Sequence, residues 1–135
     1  MCLILEETGY VKAKYSTQDI ECFKIYIKTA DGFYKSPYKR DFMPAFNILI
    51  EEDNFIPTCK DGVYFGYHSF ARLSDAFSLY NMCVQTLWEP IIVKCIIPAC
   101  TLYFEGIFSY KKDSYCSKGI VLKEIINLKL KCSCV

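Results

Sequence analysis

Residues 19–28, DIECFKIYIK, alternate regularly between two sets of side chains. One set is Phe23, Ile25 and Ile27, and the other is Lys24, Tyr26 and Lys28. A period of two is typical of a β-strand with one buried face. Asp31 and Gly32 follow, a pair typical of a tight turn, so we predict a half-buried strand and a hairpin into residues 33–35.

A second strand is predicted at residues 91–97, IIVKCII, which are apolar and β-branched except at Lys94 and Cys95. Such a run is typical of a central strand covered on both faces. A helix is predicted over residues 70–80, with Ser69 as a candidate N-cap, because apolar side chains recur there at helical spacing. These side chains are Phe70, Leu73, Phe77 and Tyr80.

Several shorter segments complete the predicted elements. Strands are predicted at 63–67, 102–104, 107–110 and 120–126, and either a strand or a short helix at 46–50. A polar stretch, KKDSYCSKG, separates the strands predicted at 107–110 and 120–126, and we interpret it as a loop.

Strands dominate this pattern, and they do not alternate steadily with helices. We therefore predict the α+β class, with a curved, mainly antiparallel sheet and one principal helix packed on it. A chain of 135 residues is long enough to bury one core, so residues 1–135 are expected to form a single domain. Residues 131–135 are expected to be a frayed tail.

The charge is nearly balanced, with 16 basic and 15 acidic residues and a formal net charge of +1. Proteins that bind duplex nucleic acid usually carry a basic excess, because neutralising phosphates supplies much of their affinity. Such a partner is therefore not expected, although Lys35, Lys39 and Arg40 could form a local patch. The aromatic content of 16% fits a β-rich core, or alternatively a platform that stacks bases or sugars.

The sequence favours a cytoplasmic protein with reduced thiols. The opening MCLILEETGY lacks the apolar region of a secretory signal, and no apolar run is long enough to cross a bilayer. The nine cysteines include the pairs Cys95 with Cys100 and Cys132 with Cys134, whose spacings are not those of structural zinc sites, so no metal is expected. Cys132 stands four residues from the end, but Ser133 and Cys134 do not fit the aliphatic positions of a prenylation signal.

His68 is the single histidine and the first candidate catalytic residue. It stands in GVYFGYHSF, where a predicted strand gives way to a helix, and its ordinary pKa suits acid–base chemistry. The alternative is that it merely caps or packs. Cys59 and Cys116, both expected in loops, are candidate nucleophiles beside it.

Familiar motifs of nucleotide and hydrolase chemistry do not occur: there is no P-loop, G-x-G-x-x-G, G-x-S-x-G or H-E-x-x-H. Those chemistries have no support in this sequence.

Four segments carry a resemblance: the opening MCL, the strand CFKIYIKTADGFYKSPY, GYHSF followed by a helix with Ala76, and VKCIIPA before YFEG. Together they resemble small uncharacterised proteins of Bacteroides-like gut bacteria and their phages, over most of residues 1–126. The resemblance implies no particular activity. Ala99 and Cys100 stand where a glycine is expected after the proline, and YCSKGI matches imperfectly.

The order FKIY, GYHSF, helix and IIVKCII is also similar to that of ADP-ribosyltransferase-like domains. This resemblance implies NAD as cofactor, with His68, Tyr26 and Tyr67 around it. Lys24 stands where an Arg or His would hold the nicotinamide. The resemblance leaves Glu105 as the candidate catalytic acid, and Glu124 as a second candidate, both by their positions near strands.

Three functions follow as hypotheses. The first is a non-enzymatic binding or accessory module that uses an aromatic-lined surface for a protein or small-molecule partner, or that self-associates through an edge strand. The second is an NAD-dependent ADP-ribosyltransferase-like enzyme or a degenerate relative. The third is a single-stranded nucleic-acid binder. An enzyme should bring His68, a tyrosine and a carboxylate to one pocket.

Overall fold

The computed structural model describes residues 3–37, 42–86, 89–108 and 112–126. Within these residues the chain forms one helix and thirteen strands. The helix is α1 (Leu73–Val84). The strands are β1 (Leu3–Ile4), β2 (Tyr10–Lys12), β3 (Lys14–Tyr15), β4 (Ile20–Lys28), β5 (Tyr34–Lys35), β6 (Leu49–Glu51), β7 (Thr58–Lys60), β8 (Gly62–Val63), β9 (Tyr67–Phe70), β10 (Glu89–Ile97), β11 (Leu102–Phe108), β12 (Lys112–Ser117) and β13 (Gly119–Ile125).

Eleven of the strands form one sheet in the order β6, β13, β10, β4, β9, β12, β11, β1 and β8, with β5 beside β4 and β3 beside β11. Strands β2 and β7 form a separate pair. All these pairs are antiparallel. The predicted α+β class, with a mainly antiparallel sheet and one principal helix, is therefore confirmed.

The two strongest strand predictions lie side by side. Strand β4 pairs with β10 along its whole length, from Ile20 opposite Ile97 to Lys28 opposite Glu89. Strand β13 covers the other side of β10, which makes β10 a central strand as predicted. The predicted half-burial of β4 is wrong on its second face, because Tyr26 is also buried there.

Several boundaries differ from the sequence predictions. The polar segment predicted as a loop forms β12, which lies between β9 and β11. Cys116 is therefore a strand residue, and so is Cys59 in β7. Ser69 lies within β9, so it is not the N-cap, and α1 begins after Arg72 instead. The hairpin after β4 is present, but its loop spans residues 29–33.

Helix α1 packs on one face of the sheet. Its buried side chains are Ala76, Leu79 and Cys83, spaced three and four residues apart. The predicted helical stripe is shifted outward, since Leu73, Phe77 and Tyr80 are only partly buried at the edge of this contact. No helix in the described residues is long and apolar enough to span a membrane.

In the described residues, the sheet consists of two parts whose strands pair with each other at one position only. We call β5, β4, β10, β13 and β6 the first half-sheet, and β9, β12, β11, β1, β8 and β3 the second half-sheet. Phe23 of β4 lies opposite Phe70 of β9, and this pair joins the half-sheets in the described part of the chain. Both phenylalanines are buried beneath α1, so the helix packs over the junction.

Candidate functional site

A cleft opens where two strands leave the same edge of β4. Strand β9 pairs with β4 at Phe23, and β5 pairs with it at Ile27 and Lys28. Residues 24–26 of β4 therefore lie between the positions at which β9 and β5 pair with it, and these two strands diverge there. Pro37, which cannot donate to a strand ladder, follows soon after β5 and fits its early end.

The resulting space, which we call the junction cleft, has a volume of about 610 Å³. Its aromatic lining consists of Tyr26, Phe42, Tyr64, Phe65 and Tyr67. Lys24, Glu52 and His68 add charged or titratable groups to the same lining. The junction cleft thus combines flat apolar surfaces with a small number of polar groups, as small-molecule sites commonly do.

The tyrosines predicted at the site line this cleft at different depths. Tyr26 is buried and Tyr67 is half-buried. Had β4 and β9 continued to pair beyond Phe23 and Phe70, Tyr26 would lie opposite Tyr67, because antiparallel partners keep a constant sum of residue numbers. The divergence of the strands is what places a cleft beside these two residues.

Lys24 crosses the start of the divergence. Its Nζ donates a hydrogen bond of 2.7 Å to the backbone carbonyl of His68 and lies 5.7 Å from the centroid of the Tyr26 ring. A side chain of the first half-sheet is thereby tied to the backbone of the second. This contact is not predictable from the sequence, since the partner of Lys24 is a backbone carbonyl.

The charge of Lys24 also acts on nearby buried thiols. Burial raises the pKa of the Cys22 thiol to about 11, while the nearby Ser69 hydroxyl and the positive charge of Lys24 act in the opposite direction. Burial likewise raises the pKa of Cys95, which lies opposite Cys22 in the β4–β10 ladder, and Lys24 again opposes the shift. These thiols are held in the neutral form.

His68 lies at the edge of the cleft with a largely enclosed side chain. The residue is 5% exposed, and its Nε2 lies 3.1 Å from the backbone carbonyl of Val63. A carbonyl accepts only, so Nε2 carries the proton in this contact. Cys116 lies opposite His68 in the β9–β12 ladder, but it is buried and its thiol contacts the carbonyl of Phe65 at 3.6 Å.

Glu105 lies elsewhere, on a second cleft of about 720 Å³ in the second half-sheet. Its carboxylate forms an ion pair with Lys14 at 3.3 Å and accepts from the Tyr103 hydroxyl at 3.4 Å. Glu124 pairs with Lys94 at 3.8 Å in the first half-sheet. Tyr26, Tyr67 and His68 therefore share one cleft, and the predicted acid does not.

Among the described residues, the carboxylate that lines the junction cleft is that of Glu52. Glu52 belongs to three consecutive acidic residues, 51–53, a pattern typical of a solvated surface. Its backbone N–H donates to the carbonyl of Lys118, which anchors the end of β6 beside β13. No local pattern links residue 52 to residues 24 or 67, so the sequence held no signal for this position.

Metal ligands do not gather in the described residues, where no three His, Cys, Asp or Glu side chains come together. Cys95 is buried within β10, whereas Cys100 is exposed after that strand. The Cys132 and Cys134 pair, the prenylation candidate and the 131–135 tail lie outside the described residues. So do Lys39 and Arg40 of the suggested basic patch.

Comparison of the chain with protein-family models, with curated proteins and with solved structures gives no match. The two resemblances drawn from the sequence therefore stay predictions.

Proposed function

We propose that the protein is a small, non-enzymatic binding module and that the junction cleft binds a small molecule. The observation that carries this proposal is the aromatic-lined space of about 610 Å³ between the diverging strands β5 and β9. Small-molecule sites commonly measure roughly 300–1,000 Å³ and are lined by aromatic side chains with a few polar groups. Strong curvature of the sheet, as predicted from the sequence, belongs to this proposal because it would widen such a cleft.

Exposed rings favour binding over a purely structural role for the cleft. Phe42 and Tyr64 are more than half exposed, and Phe65 is nearly half exposed. Aromatic side chains that only fill a core would be covered, whereas these leave ring surface open at the cleft. A flat ligand could therefore stack on them without first unpacking the core.

The second candidate is an ADP-ribosyl-transfer enzyme. It is supported by the position of Tyr26, Tyr67 and His68 on one cleft. It is weakened by the separation of Glu105 from that cleft, and by the contact of the His68 imidazole with a backbone carbonyl. Glu52 would have to serve as the acid. We therefore favour the binding module.

A ligand screen by thermal shift tests the proposal, because any ligand that prefers the folded state raises the melting temperature. The screen includes NAD at millimolar concentration, flat aromatic acids and amides, and a single-stranded oligonucleotide at two salt concentrations. Hits are repeated on Tyr64→Ala, with Tyr15→Ala as the control, because these tyrosines are 64% and 67% exposed and Tyr15 lies on β3 in the second half-sheet.

The outcomes separate the candidates. The binding module predicts a rise that is lost in Tyr64→Ala and kept in Tyr15→Ala, without turnover of the ligand. Release of nicotinamide from NAD would establish the enzyme instead. A rise with the oligonucleotide alone that falls steeply with salt would indicate a nucleic-acid binder. Hits that Tyr64→Ala leaves unchanged would contradict the junction cleft as the site.

A further inference from the structure

We infer that the ligand of the junction cleft carries an anionic group next to its flat group, and that Lys24 binds the anion. This inference rests on the proposed function and names the chemical class of the ligand: a small aromatic carboxylate or phosphate. It is carried by the position of one ammonium group in the fold.

Lys24 brings a positive charge to an otherwise buried part of β4. On the same face of the strand, Cys22 is fully buried and Tyr26 is 3% exposed. The ammonium reaches the cleft from this face, because Lys24 is part of the cleft lining and is itself half-buried. A charge at this depth is less screened by water than one at the surface.

The ammonium is also held in place before any ligand arrives. Its hydrogen bond of 2.7 Å to the carbonyl of His68 fixes the end of a side chain that would otherwise be flexible. An ammonium has three donors, so a lysine can hold a backbone carbonyl and still serve other acceptors. Part of the conformational freedom of the lysine is thus already lost in the free protein. Binding then costs less entropy, and this favours affinity.

The positive charge of Lys24 also acts on the buried thiols around it. Lys24 lowers the pKa values of Cys22 and Cys95, in opposition to their burial. The same positive charge will favour a carboxylate or phosphate that approaches it in the cleft. The thiols themselves remain neutral, so they do not compete with a ligand for the ammonium.

Lys24 also faces a second, much smaller space of about 20 Å³ on the α1 side of the junction. Lys24, Ser36 and His68 line both spaces. The small space is too narrow for a ligand, so the open route to the ammonium runs through the junction cleft. The flat part of a ligand bound there would meet Tyr64 and Phe65, whose rings line the same cleft.

Within the part of the chain that the structure describes, Glu52 brings a negative charge to the cleft lining. Its carboxylate repels an anion, so neutralising it should strengthen the binding of an anionic ligand and leave a neutral ligand of the same shape unaffected. This sign is specific to the inference, because a purely apolar cleft would not distinguish the two ligands.

The test compares phenylacetate with phenylacetamide, which have nearly the same shape and differ in charge, and adds phenyl phosphate as the second anion. Dissociation constants are measured by NMR titration for the unmodified protein, Lys24→Gln and Glu52→Gln. Lys94→Gln is the matched control, because Lys94 lies on the neighbouring strand β10 and pairs with Glu21 and Glu124 instead of lining the cleft.

For the unmodified protein we expect phenylacetate to bind about tenfold more tightly than phenylacetamide, the ratio that a charge-assisted hydrogen bond supports. The ratio should fall to about one in Lys24→Gln, rise in Glu52→Gln and stay unchanged in Lys94→Gln. Phenyl phosphate should follow phenylacetate if charge alone decides. A preference for one anion would name the carboxylate or the phosphate as the source.

Equal binding of phenylacetate and phenylacetamide would overturn the inference while leaving the proposed function intact. Absence of binding by every aromatic probe would contradict the proposed function itself. Because phenylacetamide reports the state of the cleft in each variant, loss of its binding in Lys24→Gln would show that Lys24 holds the cleft together, and would overturn its role as the anion-binding group.

Discussion

Phe23 lies directly opposite Phe70, and in the described part of the chain this one pair joins β4 to β9. Both side chains are buried in the cluster beneath α1, and the Phe70 ring lies 5.7 Å from that of Phe108. The connection between the half-sheets therefore depends on packing under the helix more than on a strand ladder. The junction cleft begins where this pair ends.

Truncation at the junction should be costly. Phe70→Ala removes a buried ring and leaves a cavity, so we expect the free energy of unfolding to fall by about 3–5 kcal/mol. Phe33→Ala is the control, because Phe33 is 59% exposed in the loop after β4 and should change stability by less than about 1 kcal/mol. Urea unfolding measures both. Equal losses in the free energy of unfolding for the two variants would show that the Phe70 ring stabilises the protein no more than an exposed ring does.

The two junction residues should also be coupled. Because Phe23 and Phe70 share one cluster, the loss in the double variant to alanine should be smaller than the sum of the single losses. A double-mutant cycle by urea unfolding measures the difference. Simple additivity would mean that the half-sheets are held together elsewhere.

Gly66 should not tolerate a side chain. Its φ is +141°, and a Cβ there would lie 2.6 Å from the Cys116 sulfur and 3.0 Å from the Ser117 carbonyl oxygen. Gly66→Ala should therefore destabilise the protein by more than about 2 kcal/mol, through strain and overlap in the turn before β9. Gly32→Ala is the control, since Gly32 also has a positive φ but faces open space. A smaller loss for Gly66→Ala than for Gly32→Ala in thermal unfolding would contradict this reading.

Stability should fall in alkaline solution. The Cys22 thiol has a pKa of about 11 in the folded protein, above its ordinary value of 9.0, so only the unfolded chain ionises between these values. The contribution of the neutral Cys22 thiol to the free energy of unfolding is fully present below pH 9. It is lost as the pH rises toward 11, by about 2 kcal/mol. Comparing urea unfolding at both ends of this range should show a smaller decline for Cys22→Ala. An equal decline in both proteins would assign the effect to other groups.

The Asp31 carboxyl should have an unusually low pKa. Hydrogen bonds from the Thr29 hydroxyl, Lys35 and the Phe33 amide lower the pKa of its carboxyl to about 2. Since the folded pKa lies below the ordinary value, any stability from Asp31 is present near neutral pH and is lost as the pH falls toward 2. Thr29→Val should raise the pKa, as measured by NMR of the carboxyl carbon. A value unchanged by this substitution would remove the hydroxyl as the main cause.

The parts of the fold that the sequence predicts well are those with strong local patterns. The alternation in residues 19–28 and the apolar run in 91–97 identify β4 and β10, because each pattern is set by burial along one segment. Strand β12 was missed because KDSYCS is polar and short. Its place between β9 and β11 depends on partners far away in the chain, which no local pattern reports.

The same limit on local patterns applies to the candidate site. His68, Tyr26 and Tyr67 do meet at one cleft, since they lie at strand positions near the junction. The contact of Lys24 with the His68 carbonyl and the position of Glu52 follow from how β4, β9 and β6 sit in space, so they could not be read from the chain. Glu105 was a candidate only by its position near a strand, and it lies on the other cleft.

Cross-strand NOEs between β4 and β9 give the most direct test of the account, because the junction cleft exists only if these strands part after one pair. We expect backbone NOEs between Phe23 and Phe70, and none of ladder strength between Ile25 and His68. A full set of ladder NOEs continuing to Tyr26 and Tyr67 would mean that β4 and β9 continue to pair. The space assigned to a ligand would then not exist.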